Sequence, residues 1–147
     1  MSVNGDSMKQ ITFLNSGCGS PSWSPDGKEI AFRSESKLYS VSSDGGTPSI
    51  LKDNIAGGAA YWVLNSEFFY HKSGNINFYI FNYVTKESKL LVPNDSVGWM
   101  FTPRLSPDNV YIAIHWNRKL DNKAARGLWV ISRKDSLQKL LLKGDIY

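Results

Sequence analysis

Apolar and polar residues alternate along this chain in short runs, and residues that favour turns separate the runs. Glu29 to Ser34 sets Ile30 and Phe32 against Ala31 and Arg33, and Lys37 to Ser42 carries Leu38 and Tyr39. A period of two sustained over four to eight residues is the mark of a β-strand. Between such runs stand Pro25-Asp26-Gly27 and Asp44-Gly45-Gly46. Proline presets the first turn dihedral, aspartate bonds back to its own backbone, and glycine accepts positive φ. No stretch reads convincingly as a helix, so the pattern predicts an all-β chain.

The runs themselves recur. Residues 21–32 read Pro-Ser-Trp-Ser-Pro-Asp-Gly-Lys-Glu-Ile-Ala-Phe, and residues 103–114 read Pro-Arg-Leu-Ser-Pro-Asp-Asn-Val-Tyr-Ile-Ala-Ile. Pro25 and Pro107 lie 82 residues apart, twice 41, and residues 60–71 form a blurred middle copy that aligns without a gap at an offset of 39. A period near 40 with four short strands per unit predicts β-propeller blades. A β-sandwich, the competing all-β fold, would not need the same turn phrase at the same point of each unit.

Each unit divides into strands a to d. The blades span approximately residues 20–52, 59–92 and 100–142, with Met8 to Phe13 as a lone outer strand preceded by a hairpin at Val3 to Asp6. Gly144 to Tyr147 is expected to open a further strand. The third blade has a long b–c connection, Asn117 to Arg126. The expectation is therefore a partial propeller of about three blades plus a lone outer strand, either a piece of a larger ring of six or seven blades or an arc completed by self-association.

Composition narrows the picture only a little. The chain has 147 residues, 41% hydrophobic and 20% charged, so it can fold around a core. One cysteine, Cys18, excludes an intrachain disulfide and selects no compartment. No apolar run reaches membrane-spanning length, and Met1 to Gln10 is too polar for a secretory signal. The net charge of +4 is uneven: residues 1–115 carry nine Lys/Arg and ten Asp/Glu, residues 116–147 eight Lys/Arg and three Asp. A basic end attracts anions, but a solvated basic surface is the favoured reading and a nucleic-acid partner is disfavoured.

The phrase Pro-x-Trp-Ser-Pro-Asp-Gly-Lys-x-Ile-Ala-Phe, closed by Leu38-Tyr39-Ser40-Val41 and Asp44-Gly45-Gly46, resembles the TolB-like β-propeller repeat, a WD40-like repeat of the Pro-Asp type. The match is close at residues 21–52, fair at 103–142, and degenerate at 60–92, where Val63-Leu64-Asn65-Ser66 replaces Ser-Pro-Asp-Gly. The resemblance implies a fold strongly and a function weakly. It implies a non-enzymatic protein-interaction or sensor module with a protein or peptide partner, or else the gating propeller of a prolyl-oligopeptidase-type peptidase without its catalytic domain. A parent protein of the Tol type would place the chain in the periplasm.

Candidate chemistry is sparse. There are two histidines, His71 and His115. The ungapped alignment makes His71 equivalent to Phe32 and Ile114, sends the two imidazoles to opposite faces of neighbouring blades, and favours structural or surface histidines over a metal site. No Gly-x-Ser-x-Gly elbow and no Walker-type phosphate loop occurs. Neither a cofactor nor a metal is expected, and the Pro-Asp turns are read as fold-making.

Binding is the better candidate. If strand a runs downward, the short Pro-Asp and Asp-Gly-Gly turns share the lower rim and the irregular connections share the upper one, where binding usually sits. Arg118, Lys119, Lys123 and Arg126 crowd the third blade's long connection, bordered by Trp99 and Trp116. They suit an acidic peptide or another anion, although a solvated insertion with its tryptophans packed between blades is the preferred reading. Ser22, Tyr61 and Arg104 hold equivalent strand-a positions and are candidates to line the channel.

Overall fold

A computed structural model describes residues 8–56, 61–64, 66–74, 77–93, 98–120 and 123–144. The described residues contain twelve strands in three antiparallel sheets and no helix. The first sheet is β1 (Cys18–Trp23), β2 (Glu29–Ser34), β3 (Lys37–Ser42) and β4 (Ser49–Lys52). The second is β5 (Tyr61–Leu64), β6 (Glu67–His71), β7 (Phe78–Asn82) and β8 (Ser88–Val92), and the third is β9 (Met100–Leu105), β10 (Tyr111–Leu120), β11 (Lys123–Ser132) and β12 (Gln138–Gly144). Each pairs its strands in chain order, as propeller blades do. The blades meet through their first strands, β1 beside β5 and β5 beside β9.

The repeated phrase folds as a repeated hydrogen-bond unit. In the first blade Ser24 Oγ donates to Asp26 Oδ1 at 2.7 Å and accepts from the Glu29 amide at 2.9 Å, while the Lys28 amide donates to Asp26 Oδ1 at 3.1 Å. In the third, Ser106, Asp108, Val110 and Tyr111 make the same bonds, with 2.9 Å between the Tyr111 amide and Ser106 Oγ. The turn also needs one residue at positive φ. Gly27 supplies it at 71° and Asn109 at 61°, asparagine being among the few other residues that tolerate this region.

Backbone bonds fix how the blades correspond. The amides of Ser43, Tyr83 and Arg133 donate to the carbonyls of Lys28, Ser66 and Val110. Ile30, Phe68 and Ile112 are therefore equivalent, as are Arg33, His71 and His115. This corrects the ungapped alignment of the second unit by one residue. Trp62 and Glu67 enclose four residues, whereas Trp23 and Glu29, like Leu105 and Tyr111, enclose five. The shorter turn shifts every later residue of that blade to the other face, because side chains alternate along a strand.

With that register, each blade presents one face to the blade before it and one to the blade after. Phe68, Tyr70 and Phe81 of the second blade pack on Ala31 and Leu38 of the first. Phe69, Phe78 and Ile80 point the other way, onto Ile112, Ile114 and Trp116 of the third. The second blade is buried on both faces, so β6 reads Phe-Phe-Tyr-His with no alternation. The third is covered on one side: Ile112, Ile114 and Trp116 are buried, while Tyr111 and His115 are exposed.

Two expectations change. Of the connection expected at Asn117 to Arg126, residues 117–120 and 123–126 are strand: β10 and β11 pair from Tyr111↔Ser132 up to Leu120↔Lys123, and residues 121–122 lie outside the described residues. Residues 8–13 form no ladder with the twelve strands. They lie against the first sheet, where Lys9 Nζ donates to the Asp44 carbonyl at 2.6 Å and the Ile11 backbone abuts Gly45. The hairpin expected at Val3 to Asp6 and residues 145–147 of the expected last strand fall outside the described residues, and Gly144 itself ends β12.

Candidate functional site

The innermost strands β1, β5 and β9 line a groove of about 410 Å³ whose walls include Ser22, Tyr61 and Arg104. These three residues pair with Ala31, Phe69 and Ala113 of their own blades, so they stand at one level of the arc. Ser22 Oγ accepts from the Trp62 amide at 3.3 Å and ties the first blade to the second. The Arg104 guanidinium lies over the Tyr61 ring at 5.0 Å and ties the third to the second.

Arg104 uses one of its donors locally, Nη1 bonding the Pro103 carbonyl at 2.9 Å. No carboxylate among the described residues pairs with it. A guanidinium has five N–H donors in a fixed fork, so the stacked group still offers donors to the groove. The one described ion pair, Arg133 with Glu67 at 2.7 Å, lies at the other end of the blades beside the a–b turns.

The basic hairpin is a separate feature. Arg118 lies over the rings of Trp116 at 4.7 Å and Trp129 at 5.4 Å, and its Nη1 donates to Gln138 Oε1 at 2.8 Å. Trp116 is fully buried against Trp129. It supports the hairpin from inside and cannot border a ligand. Trp99 is half-buried, edge-on to His71 at 5.3 Å, with its amide bonded to the Asn117 side chain. Arg126 is exposed and shares a recess with Phe101, His115 and Asn117. Lys119 and Lys123 are placed by backbone alone, at the hairpin's end.

The histidines do not converge. His71 is buried between the second and third blades, Nε2 3.0 Å from the Met100 carbonyl and Nδ1 3.2 Å from that of Asn77. A neutral imidazole donates to one of these oxygens and an imidazolium to both. His115 sits at the equivalent position but on the uncovered face, beside Phe101 at 5.8 Å. Cys18 opens β1 in the first blade, apart from both. Among the described residues no group of three His, Cys, Asp or Glu is placed to hold a metal ion.

Burial raises the Tyr70 hydroxyl inside β6, and the other shifted titrations lie near the turns. The Ser24 hydroxyl, helped by the Lys28 amide, holds the Asp26 carboxyl below the usual carboxylate value, and Ser106 with the Val110 amide does the same for Asp108. Burial raises the Tyr83 hydroxyl, and the nearby Glu29 and Asp26 charges add to the effect. These groups lie at the turn end, away from Arg104. Sequence reasoning located Tyr61 and Arg104 through their repeat positions. It missed the bond between them, which no local pattern encodes.

No family model matches the chain, and no curated protein matches it. Solved structures do. TolB from Acinetobacter baumannii superposes with a TM-score of 0.78 at 19% identity, over 95% of this chain and 35% of that one. An oligogalacturonate lyase from Vibrio parahaemolyticus gives 0.69 at 12% identity, over 90% of this chain and 43% of that one. A chain of the nidogen–laminin complex gives 0.65 at 13%, over 86% and 48%. This chain thus spans between about a third and a half of the length of these three proteins. At these identities the likeness is one of architecture: the chain has a TolB-like β-propeller fold, seen here as three blades.

Proposed function

We propose that this chain is a non-enzymatic interaction module, an arc of propeller blades that presents its inner groove to an acidic segment of a partner protein. The observation that carries this reading is Arg104, oriented over Tyr61 within the groove and lacking a carboxylate partner among the described residues. A carboxylate side chain entering the groove meets a pre-oriented guanidinium fork, the geometry that favours charge-assisted pairing. The surplus of positive charge in residues 116–147 adds a field that draws acidic chains toward the same blade. The nidogen–laminin complex, an assembly of two proteins, supports a binding role by analogy of fold.

The test is fluorescence anisotropy of a labelled ten-residue glutamate peptide titrated with the chain. Saturable binding is expected, weakened at least about tenfold by Arg104→Gln, the 1.4 kcal/mol scale of one charge-assisted bond. Binding that Arg104→Gln leaves unchanged, or no binding at all, would overturn the proposal.

A further inference from the structure

The backbone bonds that align the blades also align the contacts between them. Glu29 and Glu67 open β2 and β6 at equivalent positions, and Tyr83 and Arg133 follow β7 and β11 at equivalent positions. At the second interface the Arg133 guanidinium meets the Glu67 carboxylate at 2.7 Å. At the first interface Glu29 shares a recess with the Tyr83 phenol instead. Burial, with the Glu29 and Asp26 charges adding to it, holds the Tyr83 hydroxyl above its usual value and therefore neutral. Lys28 beside the turn is exposed, and no cation among the described residues forms an ion pair with Glu29 or Asp26. The same carboxylate position thus has its cation built in at one interface and lacks it at the other.

The recess has a volume of about 240 Å³ and is lined by Ser24, Pro25, Asp26 and Glu29 of the first blade and by Trp62 and Tyr83 of the second. The rings of Trp62 and Tyr83 meet edge to face, 5.8 Å apart and at 78°, and form two walls of a corner. Phe68 packs on both rings, at 4.5 and 5.9 Å, and backs the corner with the core. The carboxylates supply the opposite side. Asp26 spends Oδ1 on the Ser24 hydroxyl and the Lys28 amide, and Glu29 Oε1 accepts from Ser40 Oγ at 3.4 Å, so each keeps a second oxygen for a further donor. Aromatic faces and carboxylates both attract cations. A planar guanidinium uses both at once, stacking on a ring while its N–H fork bonds a carboxylate.

We propose that this recess takes the guanidinium of an arginine side chain from a partner protein, supplying at the first interface the cation that Arg133 supplies from within at the second. The walls come from two blades of this chain, and the site lies at the turn end, apart from the groove around Arg104. Its chemistry is the reverse of the groove's, so the two readings stand independently. A metal ion fits it poorly, since the described residues place no group of three His, Cys, Asp or Glu there and two of the walls are aromatic. A lysine ammonium is a compact, strongly hydrated charge, whereas the flat guanidinium matches both the ring faces and the carboxylate edge. The segment from Ser24 to Glu29 then has two roles: its serine–aspartate bonds shape the turn, and its remaining carboxylate oxygens face a ligand.

Amide and indole NMR spectra of the chain, titrated with N-acetyl-arginine methylamide, test this. Saturable shift changes are expected at Glu29, Trp62 and Tyr83, with Tyr61 and Arg104 unmoved, and the corresponding lysine derivative should bind more weakly. Glu29→Gln keeps the shape and removes the charge, and should weaken binding at least about fivefold, the scale of one exposed charge pair. Tyr83→Arg should place a guanidinium in the recess, pair it with Glu29 as Arg133 pairs with Glu67, and abolish binding of the probe. The absence of shifts at these residues, or binding unchanged in Glu29→Gln, would overturn the proposal. So would binding that survives Tyr83→Arg in a folded chain, or a lysine derivative that binds as tightly as the arginine one. If Tyr83→Arg fails to fold, the wild-type titration and Glu29→Gln decide the matter.

Discussion

His71 and His115 stand at the same position of consecutive blades, yet one is sealed between two sheets and the other faces solvent. His71 makes a polar contact across the second interface to the Met100 carbonyl, and a second to the Asn77 carbonyl on its own side, among apolar neighbours. His71→Phe keeps a ring against Phe78 and Trp99 but removes the donors. A buried acceptor left without its donor costs about 1–3 kcal/mol. A loss of that size is expected in urea denaturation, and an unchanged midpoint would show that the bond contributes nothing.

Much of this arc was legible in the sequence, and the reason is local. β2, β3 and β9 begin and end where alternation and turn residues place them, because Pro25, Asp26 and Gly27 and their copies at Pro107, Asp108 and Asn109 specify their own backbone. The middle blade was harder. With both faces buried it has no polar alternation, and its a–b turn is one residue shorter, so the unit reads as degenerate while its fold is regular. The β10–β11 hairpin was hidden because Arg118, Lys119, Lys123 and Arg126 look like a loop. What orders the described part of the hairpin is non-local: Arg118 lies on the rings of Trp116 and Trp129 and bonds Gln138.

The serine–aspartate turns should make the fold acid-sensitive. The Asp26 and Asp108 carboxyls sit below their usual value in the folded chain, chiefly through the Ser24 and Ser106 hydroxyls. The unfolded chain therefore takes up protons first as pH falls. The stabilisation is complete above the ordinary carboxylate range near pH 4 and is lost below it. The thermal midpoint of the wild type should drop as pH is lowered through this range, and Ser24→Ala combined with Ser106→Ala should flatten the drop. A variant with the full wild-type slope would contradict the assignment.

Trp116 is the most consequential core residue in the third blade. It is fully exclusive of solvent, packs on Trp129 at 5.3 Å, and carries the Arg118 guanidinium on its other contact. Trp116→Ala should cost about 3–5 kcal/mol, the range for a buried large aromatic, and should also free Arg118 from its stack. Equilibrium denaturation measures the first effect. A cost below about 1 kcal/mol would mean that the hairpin is not anchored through this ring.

Entry of an acidic segment into the groove is read residue by residue in an amide-correlation NMR titration with the glutamate peptide. Chemical-shift changes are expected to concentrate at Ser22, Tyr61, Trp62 and Arg104, on the three inner strands, and to fade as salt is raised. Changes confined to the outer strands around Lys139 and Lys143, with Tyr61 and Arg104 unmoved, would contradict it.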